Sequence, residues 1–187
     1  MSVYQIQRAL APDLKVHAIG KSFNGKLHGN ASMALQYALA AGLEQVLQEP
    51  GEEHLRGSLE RRLLNFIARG GIVVYVKDND TVVGVATVGC CSGLWSESFL
   101  VEDLRVAKRT TVMSDRVYAA LLDGILDVAR ITSKEVKKGL VSVHFSAGDS
   151  ERRLLRRMLL AHGFQEEASA PGMWIARVGG QEQLAVA

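Results

Sequence analysis

The residues best equipped for chemistry gather between positions 102 and 116. Glu102 and Asp103 are adjacent carboxylates, and Arg105, Lys108, Arg109 and Arg116 follow them with positive charge. Thr110, Thr111 and Ser114 add hydroxyl donors, so the segment carries side chains able to hold a phosphate oxygen. Asp115 stands among them and would repel the same anion. A second basic cluster, Arg152, Arg153, Arg156 and Arg157, falls on one helical face and suits phosphates or an acidic partner. A solvated face opposite a core explains it more simply. No aromatic residues interleave with these arginines, as base stacking requires, and the formal net charge is only +2, so nucleic acid is not an expected partner. Cys90 and Cys91 are the only cysteines. Neighbouring cysteines bridge only with strain, and no second Cys/His pair stands at ligand spacing, so no metal site is expected. The sequence offers Cys91 no identifiable histidine partner for a nucleophilic role.

The chain around these groups is of ordinary globular type. Hydrophobic residues make up 48% and charged residues 22% of 187 positions, which predicts one domain over 1–187 with a sizeable core. The N-terminus, MSVYQIQRALAP, lacks a basic region followed by an apolar run and does not read as a signal peptide. No apolar stretch approaches the ~20 residues that cross a bilayer. A soluble, reduced, cytoplasmic protein is expected, with no membrane partner.

The elements that must position the chemistry follow from periodicity. Val3 to Arg8 alternates as a short strand, and 11–30 is rich in Gly and Asn and reads as loop. Ser32 to Gln48 predicts one helix ending before Pro50, and Glu52 to Ala68 a second, ended by Gly70-Gly71. The period then changes. Ile72–Val76, the turn residues Asp78-Asn79-Asp80 and Thr81–Val88 predict a hairpin. Gly89 to Trp95 reads as a connection whose small residues leave room at a cleft edge, and Ser98–Val106 as a strand. Ser114 is placed to cap a helix with Val117, Leu121, Leu122, Ile125 and Val128 inward. Leu140–Phe145 predicts a strand. Asp149 or Ser150 starts a last helix with Leu154, Leu155, Met158 and Leu159 inward, and Met173–Val178 closes the chain as a strand. This order predicts an α/β fold, a mixed sheet with helices on both faces, built from 1–70, 71–138 and 139–180.

That order, over nearly the whole chain, resembles the GNAT superfamily of acetyl-CoA-dependent N-acyltransferases. Three features carry the resemblance: the hairpin with Val83-Gly84-Val85-Ala86, the strand Phe99–Val106 leading into a long helix, and the helix Leu154–Phe164 ending in Gly163-Phe164. The resemblance implies acetyl-CoA as co-substrate, bound by the central strand at Leu104, Arg105 and Val106 and by Arg109, Ser114 and Arg116 at the helix start. It implies transfer of acetyl to a primary amine of a protein or small molecule, with Glu102, or its neighbour Asp103 on the opposite face, as base. The family's cofactor loop, Q/R-x-x-G-x-G/A, has no match in glycine here. Aligning on Arg109 places Val112 and Ser114 at the glycine positions, and aligning on the helix's apolar face places Arg116 and Tyr118 there. The family's usual acid, a tyrosine four residues before the terminal Gly-Phe, is Leu159 here, with Ser150, His144 and His162 as substitutes. A second reading therefore stands beside the first: a catalytically silent domain of this fold, as in phages and mobile elements, that binds a protein partner. A homodimer is compatible with either.

Overall fold

The computed structural model describes residues 4–6, 14–20, 30–47, 56–92, 96–107, 111–136, 140–146 and 152–178. The elements run β1 (Tyr4–Ile6), β2 (Leu14–Gly20), α1 (Asn30–Ala40), α2 (Leu43–Leu47), α3 (Arg56–Ala68), β3 (Ile72–Asp78), β4 (Thr81–Ser92), β5 (Ser96–Val106), α4 (Thr111–Val136), β6 (Leu140–Ser146), α5 (Arg152–Ala161), β7 (Gln165–Glu166) and β8 (Met173–Arg177). The strands form one sheet in the order β1-β2-β3-β4-β5-β6-β8-β7. Every pairing is antiparallel except β5 with β6, which is parallel.

Two apolar clusters sandwich this sheet. On one face α4 lays Val117, Leu121, Leu122, Ile125 and Val128 against Val16, Val74, Ala86, Phe99 and Val143, as its 3.6-residue spacing predicts. Leu155, Leu159 and Phe164 from the α5 region join the same cluster. On the other face Leu35, Leu43, Leu63 and Ile67 of α1–α3 cover Ile19, Val73, Tyr75, Val82 and Val85. The mixed sheet with helices on both faces is thus present. Gly84 has a packing reason: a Cβ there would stand 2.4 Å from a methyl of Val117. The missing side chain lets α4 lie directly on β4.

Several boundaries move. Strand β2 lies inside the stretch read as loop. Leu14, Val16 and Ala18 are buried and Lys15 exposed, a period-2 pattern obscured by the glycines and asparagines that follow it. The single helix over 32–48 is two, divided at Ala41-Gly42, where Gly42 takes φ 97°. The connection 89–95 is strand up to Ser92. Helix α5 ends as the sequence indicates: Gly163 has φ 81°, and Phe164 N–H donates to the Leu159 carbonyl at 2.9 Å.

Candidate active site: a carboxylate at the parting of two strands

Strand β5 is paired unequally along its two edges. Toward β4 the ladder runs from Glu97↔Ser92 to Val106↔Gly84. Toward β6 it runs from Ser96↔Leu140 to Val101↔Phe145 and ends there, although β5 continues to Val106. The ladder to β6 ends at Val101, where the described part of β6 itself ends one residue later at Ser146, and the β6-side edge of 102–106 has no strand partner among the described residues. Leu104 lies on this segment, paired with Ala86 of β4 and past the end of the parallel ladder to β6.

A β-bulge sits where that ladder ends. Asp103 pairs with Thr87 but Val101 with Val88, so Glu102 is an extra residue in β5. Such an insertion bends the strand and turns two consecutive side chains toward one side. Val101 packs on the α4-side core, whereas Asp103 shares the side of Thr87, which alternates with Val85 of the α1–α3 core. Glu102 is on that side too, because a Cβ on Gly89 would stand 2.5 Å from its Oε1. The expectation that Asp103 lies on the face opposite Glu102 is therefore corrected; the bulge breaks the alternation.

The two carboxylates differ in what they touch. Arg105 Nε donates to Asp103 Oδ1 at 3.0 Å and Oδ2 at 2.8 Å, and its Nη1 donates to the Leu47 carbonyl at 3.0 Å. Asp103 and Arg105 together tie β5 to the end of α2, so the Arg105 side chain is committed to protein groups. Glu102 is exposed, lies over the backbone of Gly89, and has no hydrogen bond among the described residues. Of the pair, Glu102 is the one free to take a proton. Leu104 and Val106 pack against the α4-side core, so only their backbone can serve a ligand between the strands.

The helix that follows begins earlier than its sequence suggests. Helix α4 starts at Thr111, not at Ser114, so Val112 and Ser114 are already helical. A helical residue needs no positive φ, which is why a β-branched valine is tolerated where a phosphate loop would need glycine. The initial backbone N–H groups of α4 have no intrahelical acceptors. They follow β5 by a few residues along the chain, and an anion there suits the helix dipole. Arg116 is exposed on the second turn and Ser114 is half-buried. Asp115 is half-buried with Oδ1 out of solvent and without a hydrogen-bond partner. These features fit a molecule with an extended chain and a phosphate end, with Asp115 as the opposing charge. Arg109, Lys108, Trp95 and Ser150 lie outside the described residues.

Other sequence candidates resolve into structural parts. Leu159 is fully buried, so α5 offers no hydroxyl at that position. His162 Nδ1 lies 2.6 Å from the Met158 carbonyl and Nε2 lies 3.8 Å from Asp123 Oδ1, which ties the α5 end to α4. Arg156 and Arg157 are exposed. Cys90 Sγ donates to Oε1 of the buried Glu97 at 2.9 Å, while Cys91 is exposed. Two relations escaped the sequence reading: the space that Gly89, read there only as part of a small-residue connection, clears for Glu102, and the line that joins Ser98 and Ser142 to His144. The Ser-x-His spacing at 142–144 is the strand signal that places both side chains on one face. Among the described residues no group of His, Cys, Asp or Glu can hold a metal ion, and no helix is long and apolar enough to cross a membrane.

The architecture is that of the GNAT fold, a mixed sheet with helices on both faces. No family profile matches the chain, and no curated protein matches it in sequence. Among solved structures it is similar to a Desulfovibrio desulfuricans protein described as a GNAT-family acetyltransferase, at 16% identity and a TM-score of 0.50 over 89% of this chain and 99% of that one. It is similar to a mutant AtaT toxin bound to acetyl-CoA and the C-terminus of the antitoxin AtaR, at 14% identity and a TM-score of 0.52 over 88% and 93%. A third is the ribosomal-protein-S5-alanine acetyltransferase of Vibrio fischeri, at 9% identity and a TM-score of 0.51 over 97% and 98%.

Proposed function

We propose that this protein is an N-acetyltransferase that moves an acetyl group from acetyl-CoA to a primary amine. The observation that carries this reading is the bulge at Glu102. It sets an exposed carboxylate where the β5–β6 ladder ends, on the strand that leads into α4. A thioester needs a slot for its extended arm, an anion site for its phosphates and a base for the attacking amine. Here the unpaired edge of 102–106 supplies the first, and the α4 N–H groups with Arg116, Ser114 and Arg109 the second. Glu102 supplies the third, because a carboxylate takes the proton that the amine must shed as its nitrogen attacks. Asp103 and Arg105 hold the bulge in place from behind. Acetyl-CoA seen in the similar AtaT complex supports this reading.

The second reading, a silent domain that engages a protein, draws on the helical state of Val112 and Ser114 and on the exposed Arg156 and Arg157. The AtaT–AtaR complex shows a protein of similar fold engaged by a protein partner. One experiment separates the two readings. Calorimetric titration of the purified chain with acetyl-CoA is expected to show saturable binding, weakened by roughly 2–4 kcal/mol in the Arg109→Ala/Arg116→Ala double variant as charge-assisted bonds are lost. No heat at millimolar acetyl-CoA would leave the partner-binding reading in its place.

A further inference from the structure

The face of the sheet that carries Glu102 holds a second polar arrangement. His144 pairs with Leu100, one rung before the last, Val101↔Phe145. Val143 and Phe145 belong to the α4-side core, so Ser142 and His144 project to the opposite face, as do Leu100 and Glu102 along β5. His144 therefore faces Leu100, 38% exposed, across the two strands, and Glu102 lies diagonally beyond it where the β5–β6 ladder ends. The apolar cluster under α1–α3 draws its strand residues from β2, β3 and β4 only, which leaves His144 half-buried beside that ladder end.

The imidazole is held from behind. Ser142 Oγ lies 2.8 Å from His144 Nε2 and 3.3 Å from Ser98 Oγ, on the neighbouring strand. Ser142 is 7% exposed, and a buried hydroxyl needs its bonds. Two serines in line therefore fix the ring's orientation through Nε2. Nδ1 has no hydrogen bond among the described residues and remains for a ligand. The charged groups on this face of the flanking strands are Glu102 and the Asp103–Arg105 pair on β5 and Arg177 on β8.

We infer that His144 is the general acid of the transfer, with Ser142 and Ser98 as its positioning residues. The inference rests on the acetyl-transfer reading above. The amine nitrogen forms a bond to the thioester carbonyl carbon, and its proton passes to Glu102. The C–S bond breaks, and the sulfur takes its proton from the His144 imidazolium. Solvent then reprotonates His144 and removes the proton from Glu102, so charge and atoms balance. Imidazole suits this work because its two ring nitrogens let one be held by the protein while the other passes a proton.

The test uses the full chain, His144→Gln and Ser142→Ala, with equal thermal midpoints as the check on folding. Nuclear magnetic resonance follows the imidazole signals that His144→Gln removes while coenzyme A is titrated in. A shift of those signals, larger with coenzyme A than with its desulfo analogue, is expected. Signals that stay still while calorimetry records coenzyme A binding overturn the assignment. The pH profile of kcat/KM is then taken with acetyl-CoA and a peptide bearing a free N-terminus and one lysine. His144→Gln is expected to lose at least tenfold and the alkaline limb. Ser142→Ala is expected to keep the imidazole but displace that limb, which a serine of merely structural role would not do. A His144→Gln variant within twofold of the parent, with both limbs intact, overturns the acid assignment and leaves the transfer reading standing. A parent that binds no coenzyme A overturns both. Should His144→Gln not fold, Ser142→Ala decides: a pH profile identical to the parent's overturns the assignment.

Discussion

The two ends of β5 are one strand under two regimes. From Ser96 to Val101 it is paired on both edges, with Phe99 and Val101 buried in the α4-side core. From Glu102 to Val106 it keeps β4 but loses β6, and a bulge marks the change. Backbone groups in the first segment are satisfied by the sheet. In the second, the edge facing β6 has no strand partner among the described residues. The doubly paired end is expected to carry stability and the singly paired end the chemistry. Substitutions should sort accordingly.

The largest separation is expected at Glu102. Glu102→Gln keeps shape and removes the base, so kcat/KM should fall by about 10²–10⁴, the usual worth of a general base, while the thermal midpoint stays put. Steady-state kinetics beside a melting curve checks both. A loss of stability of the same size would place Glu102 in the framework instead. The converse is Leu121→Ala, a fully buried core position on α4. It should cost about 2–5 kcal/mol in urea unfolding, the range for a core leucine emptied to alanine. Protein that remains folded should still bind acetyl-CoA.

A smaller and more pointed effect is expected at Gly89, which belongs to both regimes. Its place in β4 is structural, but a Cβ there would meet Glu102 Oε1 at 2.5 Å. The group it meets is the end of a flexible side chain, so Gly89→Ala should change the urea midpoint little. The carboxylate, however, must swing away from the end of the β5–β6 ladder. A fall of roughly tenfold in kcat/KM with unchanged acetyl-CoA affinity is expected, since a misplaced base loses most of its advantage. Gly84→Ala makes the contrast: there the obstruction is Val117 of α4, and the loss should appear in stability.

The same division explains what could be read before the fold was seen. The amphipathic residues of α4 and the hairpin Ile72–Val88 declared themselves because burial on one face imposes a period that survives in the sequence. The end of the β5–β6 ladder did not, because pairing is a relation between strands some forty positions apart. The bulge at Glu102 was equally silent. It exists only as a mismatch between two registers, and it alone decides that Glu102 and Asp103 share a side. The start of α4 was misplaced because Ser114 has the chemistry of a cap, whereas Thr111 lies inside a run that looked like a degraded loop. His144 could be named but not placed, since Ser98 and Ser142 are brought to it by the parallel pairing.

The smallest effect is expected away from the site, at His17 on β2, and it tests whether that part of the sheet titrates independently of the site. His17 stacks on Tyr75 across the β2–β3 pair with ring centroids 5.0 Å apart and planes at 15°. Its Nε2 is buried without a hydrogen-bond partner. Burial first, then the charges of Lys77 and Lys15, lowers its pKa below the ordinary 6.5. The folded chain therefore keeps the ring neutral at a pH where the unfolded chain already binds a proton. When the unfolded state holds the extra proton, stability rises with pH. The contribution of His17 is thus fully present above pH 6.5 and is lost as pH falls from there through the folded pKa. His17→Phe keeps an aromatic ring against Tyr75 and removes the titration. Thermal midpoints at pH 7.5 and 5.5 should lie closer together in the variant than in the parent, while acetyl transfer at pH 7.5 is unchanged. Equal spacing in the two proteins would assign the acid loss to other groups.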